Sequence, residues 1–149
     1  MPVIPLGGVI FLMNVFCHLP QLYPRRVHAF FDAQNLYQTA KECFKVNYPN
    51  FDPIKLAKAA TQLEAGRELS KIHFYTGVHK KEQNEFWHKF WMNKLAGLRR
   101  AGVDVFFRYL KYSKSLDDAG ETIIKPREKG IDVKISIDLI RLAQKREYD

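Results

Sequence analysis

Along the chain, apolar and polar positions alternate in a way that predicts short strands separated by amphipathic helices. Val27–Phe31 (VHAFF) is a continuous apolar or near-apolar run that stops at Asp32. That pattern suits a parallel strand buried on both faces at the centre of a sheet. Leu36, Ala40, Cys43 and Phe44 then recur at three- and four-residue spacing, predicting a helix from Asn35 to Val46 that Asn47-Tyr48-Pro49-Asn50 breaks. Asp52-Pro53 reads as an N-cap followed by proline at the first helical position, with Leu56, Ala60 and Leu63 as the buried stripe and Gly66 as the end. Ser70–Thr76 is a second strand, with Ile72, Phe74 and Thr76 on one face. A long helix over Lys81–Ala101 carries Phe86, Trp87, Phe90, Trp91, Leu95 and Leu98 on a broad stripe assigned to the core, and Gly102 closes it. A base-stacking platform is the less favoured reading of the same aromatics. Val103–Tyr109 is a third strand, so the order is β-α-α-β-α-β, a doubly wound pattern.

Beyond it, Lys111-Tyr112, a turn at Leu116–Gly120 and Thr122–Lys125 form a strand, turn and return strand. Asp117-Asp118 in that turn read as solvated acids rather than a metal pair. In Ile131–Arg146 two periods compete. Alternation accounts for the first nine residues and fails at Leu139-Ile140, whereas a helix accounts for all sixteen. Its narrow polar face is Lys134, Asp138, Arg141 and Lys145, and Asp132 falls well round the axis from it, in the first turn. Exposed N–H groups and the helix dipole favour a carboxylate there. Asp138, between Lys134 and Arg141, reads equally as an ordinary surface ion pair.

The totals narrow the class. At 149 residues, with 46% hydrophobic and 13% aromatic residues, one folded domain is expected rather than disorder. Lys and Arg number 24 against 16 Asp and Glu, giving a net charge of +8, which favours polyanionic partners. The two cysteines, Cys17 and Cys43, form no CxxC and read as reduced thiols, pointing to the cytoplasm. Residues 1–24 carry no Lys, Arg, Asp or Glu. They lack the basic n-region of a signal peptide, and their prolines, glycines, Asn14 and His18 argue against a membrane span. Residues 1–25 are expected to be a poorly ordered, uncharged extension; membrane contact or a strand joining the sheet are the alternatives, and no stable membrane association is expected.

Two segments together, Phe30-Phe31-Asp32-Ala33-Gln34-Asn35-Leu36-Tyr37 and Lys129-Gly130-Ile131-Asp132-Val133 running on to Asp138-Leu139-Ile140, resemble the NYN-domain family, the LabA-like group of PIN-like nucleases. In that family a first strand reads roughly F-I-D-G-x-N-L and a late helix opens K-G-V-D and continues to D-L-L. The resemblance covers residues 26–149. It implies an α/β fold, a PIN-like or Rossmann-like three-layer sandwich with a mostly parallel sheet, and a ribonuclease dependent on Mg²⁺ or Mn²⁺. Asp32, Asn35, Asp132 and Asp138 would be the catalytic set and Asp32 and Asp132 the metal ligands, since hard cations prefer carboxylate oxygens. Asn35 would orient a carboxylate, a metal water or a phosphate oxygen. Lys129, with Lys80, Lys81 and Arg127, would meet the phosphates of RNA, with Arg108, Lys111, Lys114, Lys125 and His79 as further basic candidates. A non-catalytic RNA-binding or regulatory module is the alternative.

Two departures from the family pattern stand out. Ala33 replaces the glycine of the first motif, and no S-G-D-x-D segment follows the late helix. The expectation is therefore a domain incomplete at its C-terminus, with Val27–Phe31 left as an open sheet edge. A homodimer, a partner strand or Val3–Phe16 would fill that edge.

Overall fold

The computed structural model describes residues 23–116 and 122–149. Residues 1–22 of the expected N-terminal extension, with Cys17 and Val3–Phe16, and Asp117-Asp118 lie outside the described residues, whereas Arg25, its expected last residue, opens the first strand. Element order is β1 (Arg25–Asp32), α1 (Ala33–Phe44), α2 (Pro53–Gln62), β2 (Arg67–Val78), α3 (Glu85–Arg100), β3 (Asp104–Tyr109), β4 (Lys111–Leu116), β5 (Thr122–Arg127) and α4 (Ile131–Gln144). Every predicted element is present, including the disputed helix at 131. Among the described residues, β1, β2 and β3 form a parallel sheet in the order β1-β2-β3, and β4 and β5 pair as an antiparallel hairpin.

Among the described residues the central strand is β2, and β1 takes the edge position expected for Val27–Phe31 rather than the central one its apolar run suggested. Ile72 to Val78 is buried without interruption, whereas β1 is only half-buried. The reason is topological: among the described residues β1 has a paired neighbour on one side only, and its register with β2 slips at Val27/His28. Asp149 touches the other side at one point, where its N–H donates to the Arg26 carbonyl and its carboxylate accepts from the Arg26 N–H.

Pleating sorts β2 between two faces. Ile72, Phe74 and Val78 pack with Ala33, Ala57, Leu95, Leu98 and Val103 in the core under α1, α2 and α3. His73 and Tyr75 face the other layer, where Phe30 stacks on His73 and α4 covers β1 and β2. Full burial of a side chain such as Phe74 or Leu95 contributes roughly 1.5–3 kcal/mol.

Helix starts follow the capping rules, with shifted bounds. Asp32 caps α1, Asp52 caps α2 through the N–H groups of Ile54 and Lys55, and Asn84 caps α3 through that of Trp87. Helix α1 therefore begins two residues before Asn35, and α3 begins at Glu85 rather than Lys81.

Three predicted faces are wrong. In α2 the buried residues are Pro53, Ala57 and Thr61, one position round from the expected stripe, and Leu63 is exposed. In α3 Leu95 and Leu98 are core, but Phe86 is 71% exposed and Phe90 lies at the surface. In α4 Asp138 of the supposed solvent face is buried, while Val133, Ile137 and Ile140 are exposed. A helical period fixes which residues share a face, but which face meets the sheet depends on the neighbouring layer.

Candidate carboxylate site at the sheet edge

Asp32 ends β1, and Asn35 lies in the first turn of α1. The Asn35 N–H donates to one oxygen of Asp32 (3.1 Å), and the Asn35 side-chain amide donates to the other (2.8 Å). The D-x-x-N spacing is thus a helix cap closed by a second bond, which holds the carboxylate in place at the carboxyl end of the strand. The pleat that turns His28 and Phe30 toward the α4 layer gives Asp32 the same side, level with Tyr75 of β2.

Two residues beyond Tyr75, Gly77 leaves room that a side chain would fill. A Cβ there would collide with the Leu110 side chain and stand 3.2 Å from both Gln34 Nε2 and Glu128 Oε2. Glu128 therefore lies directly against the backbone at the end of the central strand. Its Oε2 is buried and, among the described residues, makes no hydrogen bond of good geometry, although the Gly77 backbone lies beside it. Burial, then the charge of Asp32 and then that of Asp132, push the Glu128 carboxyl up to about 7, against the opposing effect of the Gly77 N–H. Sequence reasoning missed Glu128. The available signal was a single acid within the otherwise basic Lys125–Gly130 segment.

Asp132 is exposed in the first turn of α4. Gly130 caps that helix with φ +79° and no side-chain bond, so the first-turn N–H groups lack a side-chain acceptor. The two aspartates that the sequence paired therefore share the electrostatic surroundings of one further acid, Glu128.

Asp138 has different company. It accepts from the Tyr75 hydroxyl (2.9 Å) and Lys134 (2.6 Å) and pairs with Arg141 (3.2 Å). Burial alone would raise its carboxyl, but the bonds from Lys134 and Tyr75 outweigh that and hold it below the ordinary carboxylate value. Tyr75 is pushed upward in turn, by burial and by this bond. The expected surface ion pair is a buried one.

The basic candidates separate into two groups. Lys129 lines a cleft of about 400 Å³ with Arg108, Lys111 and Lys134, beside the uncapped start of α4. Arg127 is exposed at the end of β5, level with Lys111 across the hairpin. Lys80 and Lys81 lie exposed beyond β2, where Lys81 makes a long contact with Glu85 (3.8 Å). His79 joins the two regions: its Nδ1 meets the Tyr112 hydroxyl of the hairpin at 2.8 Å, and burial lowers its pKa.

In donor chemistry the edge suits a hard divalent cation. Asp32, Glu128 and Asp132 make no ion pair among the described residues, and one oxygen is buried without a partner. They are not drawn into a closed cage: among the described residues, no three His, Cys, Asp or Glu side chains stand close enough to hold an ion.

A parallel sheet between helical layers, with Asp32 at the carboxyl end of β1 and Glu128 against the end of β2, defines an α/β domain of the PIN-like class. Comparison with protein families matches the NYN domain over residues 26–149, and the chain belongs to the NYN-domain family, which is generally nuclease-like. Comparisons with curated proteins and with solved structures find no match. Among the described residues, no helix is long and apolar enough to cross a membrane.

Proposed function

We propose that the chain is a metal-dependent ribonuclease of the LabA-like NYN kind, hydrolysing RNA phosphodiesters at the edge formed by Asp32, Glu128 and Asp132. The observation that carries the reading is Glu128, whose Oε2 is buried without a partner against Gly77 at the end of the central strand, with Asp32 and Asp132 near enough to raise its carboxyl. Unpaired acids gathered at a crevice are costly without a counter-charge, which a hard cation supplies. Mg²⁺ or Mn²⁺ bound there would acidify a water and neutralise phosphate charge.

This chain's own residues divide the remaining work. Asp32 and Asp132 are the ligands, Glu128 an additional oxygen donor, and Asn35 a positioning residue that fixes both oxygens of Asp32. Lys129, Arg127, Lys80 and Lys81, with Arg108 and Lys111 in the basic cleft, neutralise RNA phosphates without reading sequence. Asp138 acts through the fold, tying α4 to Tyr75.

The test is cleavage of an unstructured RNA in Mn²⁺, with and without chelator. Cleavage by the intact chain, abolished by chelator and reduced at least a hundredfold in Asp32→Asn, is expected. That no three acids close into a cage among the described residues favours a second reading, an RNA-binding module without turnover. Salt-sensitive RNA binding that is indifferent to chelator, without cleavage, would establish that reading instead.

A further inference from the structure

Of the α3 aromatics that the sequence assigned to the core, Trp91 packs against it, but Phe86, Trp87 and Phe90 open onto a cavity of about 520 Å³ that Trp91 also lines, bounded on the other side by the α1–α2 loop. Its walls include Tyr48, Phe86, Trp87 and Phe90, with Phe86 71% and Tyr48 73% exposed. The rings meet edge to face: Trp87 with Phe86 at 5.3 Å and with Phe90 at 5.4 Å between centroids. At one end sits Lys94, held by Asn50 Oδ1 (2.9 Å) and the Phe51 carbonyl (3.2 Å), its ammonium 5.0 Å from the centroid of the Phe51 ring. Among the described residues, no Asp or Glu lines the cavity.

This cavity continues toward the carboxylate edge. Tyr37, Trp87 and Trp91 form one wall of it and also line a second cavity, whose far side is Gln34, Asn35 and His79. An aromatic slot with a cationic end thus adjoins the residue that positions Asp32.

We propose that the Tyr48–Trp87–Lys94 cavity is a nucleobase subsite that stacks an unpaired base of the RNA strand whose backbone passes Asn35. The inference rests on the RNA reading above and gives it a strand type, single-stranded. A nucleobase matches the slot on three counts. A flat π-face stacks on Trp, Phe and Tyr rings whatever the base. Base edges offer acceptors to the Lys94 end, where an apolar peptide would leave the ammonium without a new partner. The strand's negative charge complements a chain of net charge +8.

Both tryptophans of the chain line this cavity, so intrinsic fluorescence reports on it directly. The experiment titrates the full chain, in chelator to prevent cleavage, with an oligoadenylate of about eight nucleotides and with an abasic backbone of the same length. The oligoadenylate is expected to quench tryptophan emission and to bind about tenfold more tightly than the abasic strand. Phe86→Ala, at an exposed helical position that leaves the core intact, should erase most of that difference while leaving abasic binding unchanged. Trp87→Ala should do the same and Trp87→Phe should restore it, with binding by both variants followed through a label on the strand.

Equal affinity of the intact chain for both strands, equal loss of both in Phe86→Ala, or no binding of either overturns the subsite. Cleavage in Mn²⁺ is scored separately. A base preference abolished by Phe86→Ala in a chain that does not cleave keeps the subsite and removes the hydrolase; cleavage without any base preference does the reverse.

Discussion

Asn35 holds both oxygens of Asp32, so the acid at the end of β1 has a fixed orientation before any ligand arrives. Glu128 has the opposite character: one oxygen is buried and unbonded, and its neighbours share its sign. With its folded pKa near 7 against an ordinary 4.5, Glu128 holds a proton in the folded chain that the unfolded chain has already released. Between those values the folded state binds more protons, so stability falls as pH rises. Glu128→Gln is therefore expected to melt higher than the natural chain at pH 8 and at nearly the same temperature at pH 5. Millimolar Mn²⁺ should narrow the gap at pH 8 by supplying the missing counter-charge. Thermal melts at the two pH values check the sign, and an equal gap at both would remove Glu128 from the edge. The D-x-x-N unit was legible in the sequence because its partners are three residues apart. Glu128 was not, because burial against Gly77 is a relation across about fifty residues.

Helix α4 shows how an element can be recognised while its seating is misjudged. Its period, its start at Gly130 and its polar stripe were all readable, yet that stripe turns Asp138 inward to Tyr75. A buried carboxylate with three partners anchors the helix to β2 more specifically than apolar contact does, and Val133, Ile137 and Ile140 are left at the surface. Asp138→Ala is expected to cost about 3 kcal/mol, because Lys134 and the Tyr75 hydroxyl would lose their acceptor. With a folded pKa below the ordinary 3.8, Asp138 contributes stability above that value and loses it as pH falls through the lowered one. Urea melts should therefore show the Asp138→Ala deficit at neutral pH and a smaller one toward pH 3. Asp32→Asn, by contrast, keeps a side-chain oxygen for capping α1 and should melt within about 1 kcal/mol of the natural chain. Separate losses, stability at Asp138 and cleavage at Asp32, would distinguish the anchor from the site.

For the whole molecule, a net charge of +8 predicts that the proposed RNA binding is salt-dependent. Each phosphate neutralised on a single strand lowers the slope of log affinity against log salt by about 0.7. Lys129→Ala and Arg127→Ala should each flatten that slope by about this amount without altering base preference, as filter binding across a salt series would read. The sequence alone determined the elements, the parallel order and the family, since each depends on residues close along the chain or on a recurring motif. The tertiary structure decided which face of each helix is buried, that Asp138 is buried against Tyr75, and that Glu128 and the aromatic cavity lie beside the sheet edge. Those outcomes depend on which layers meet: a helical period defines a stripe of side chains, and only the packed sheet determines whether that stripe faces protein or water.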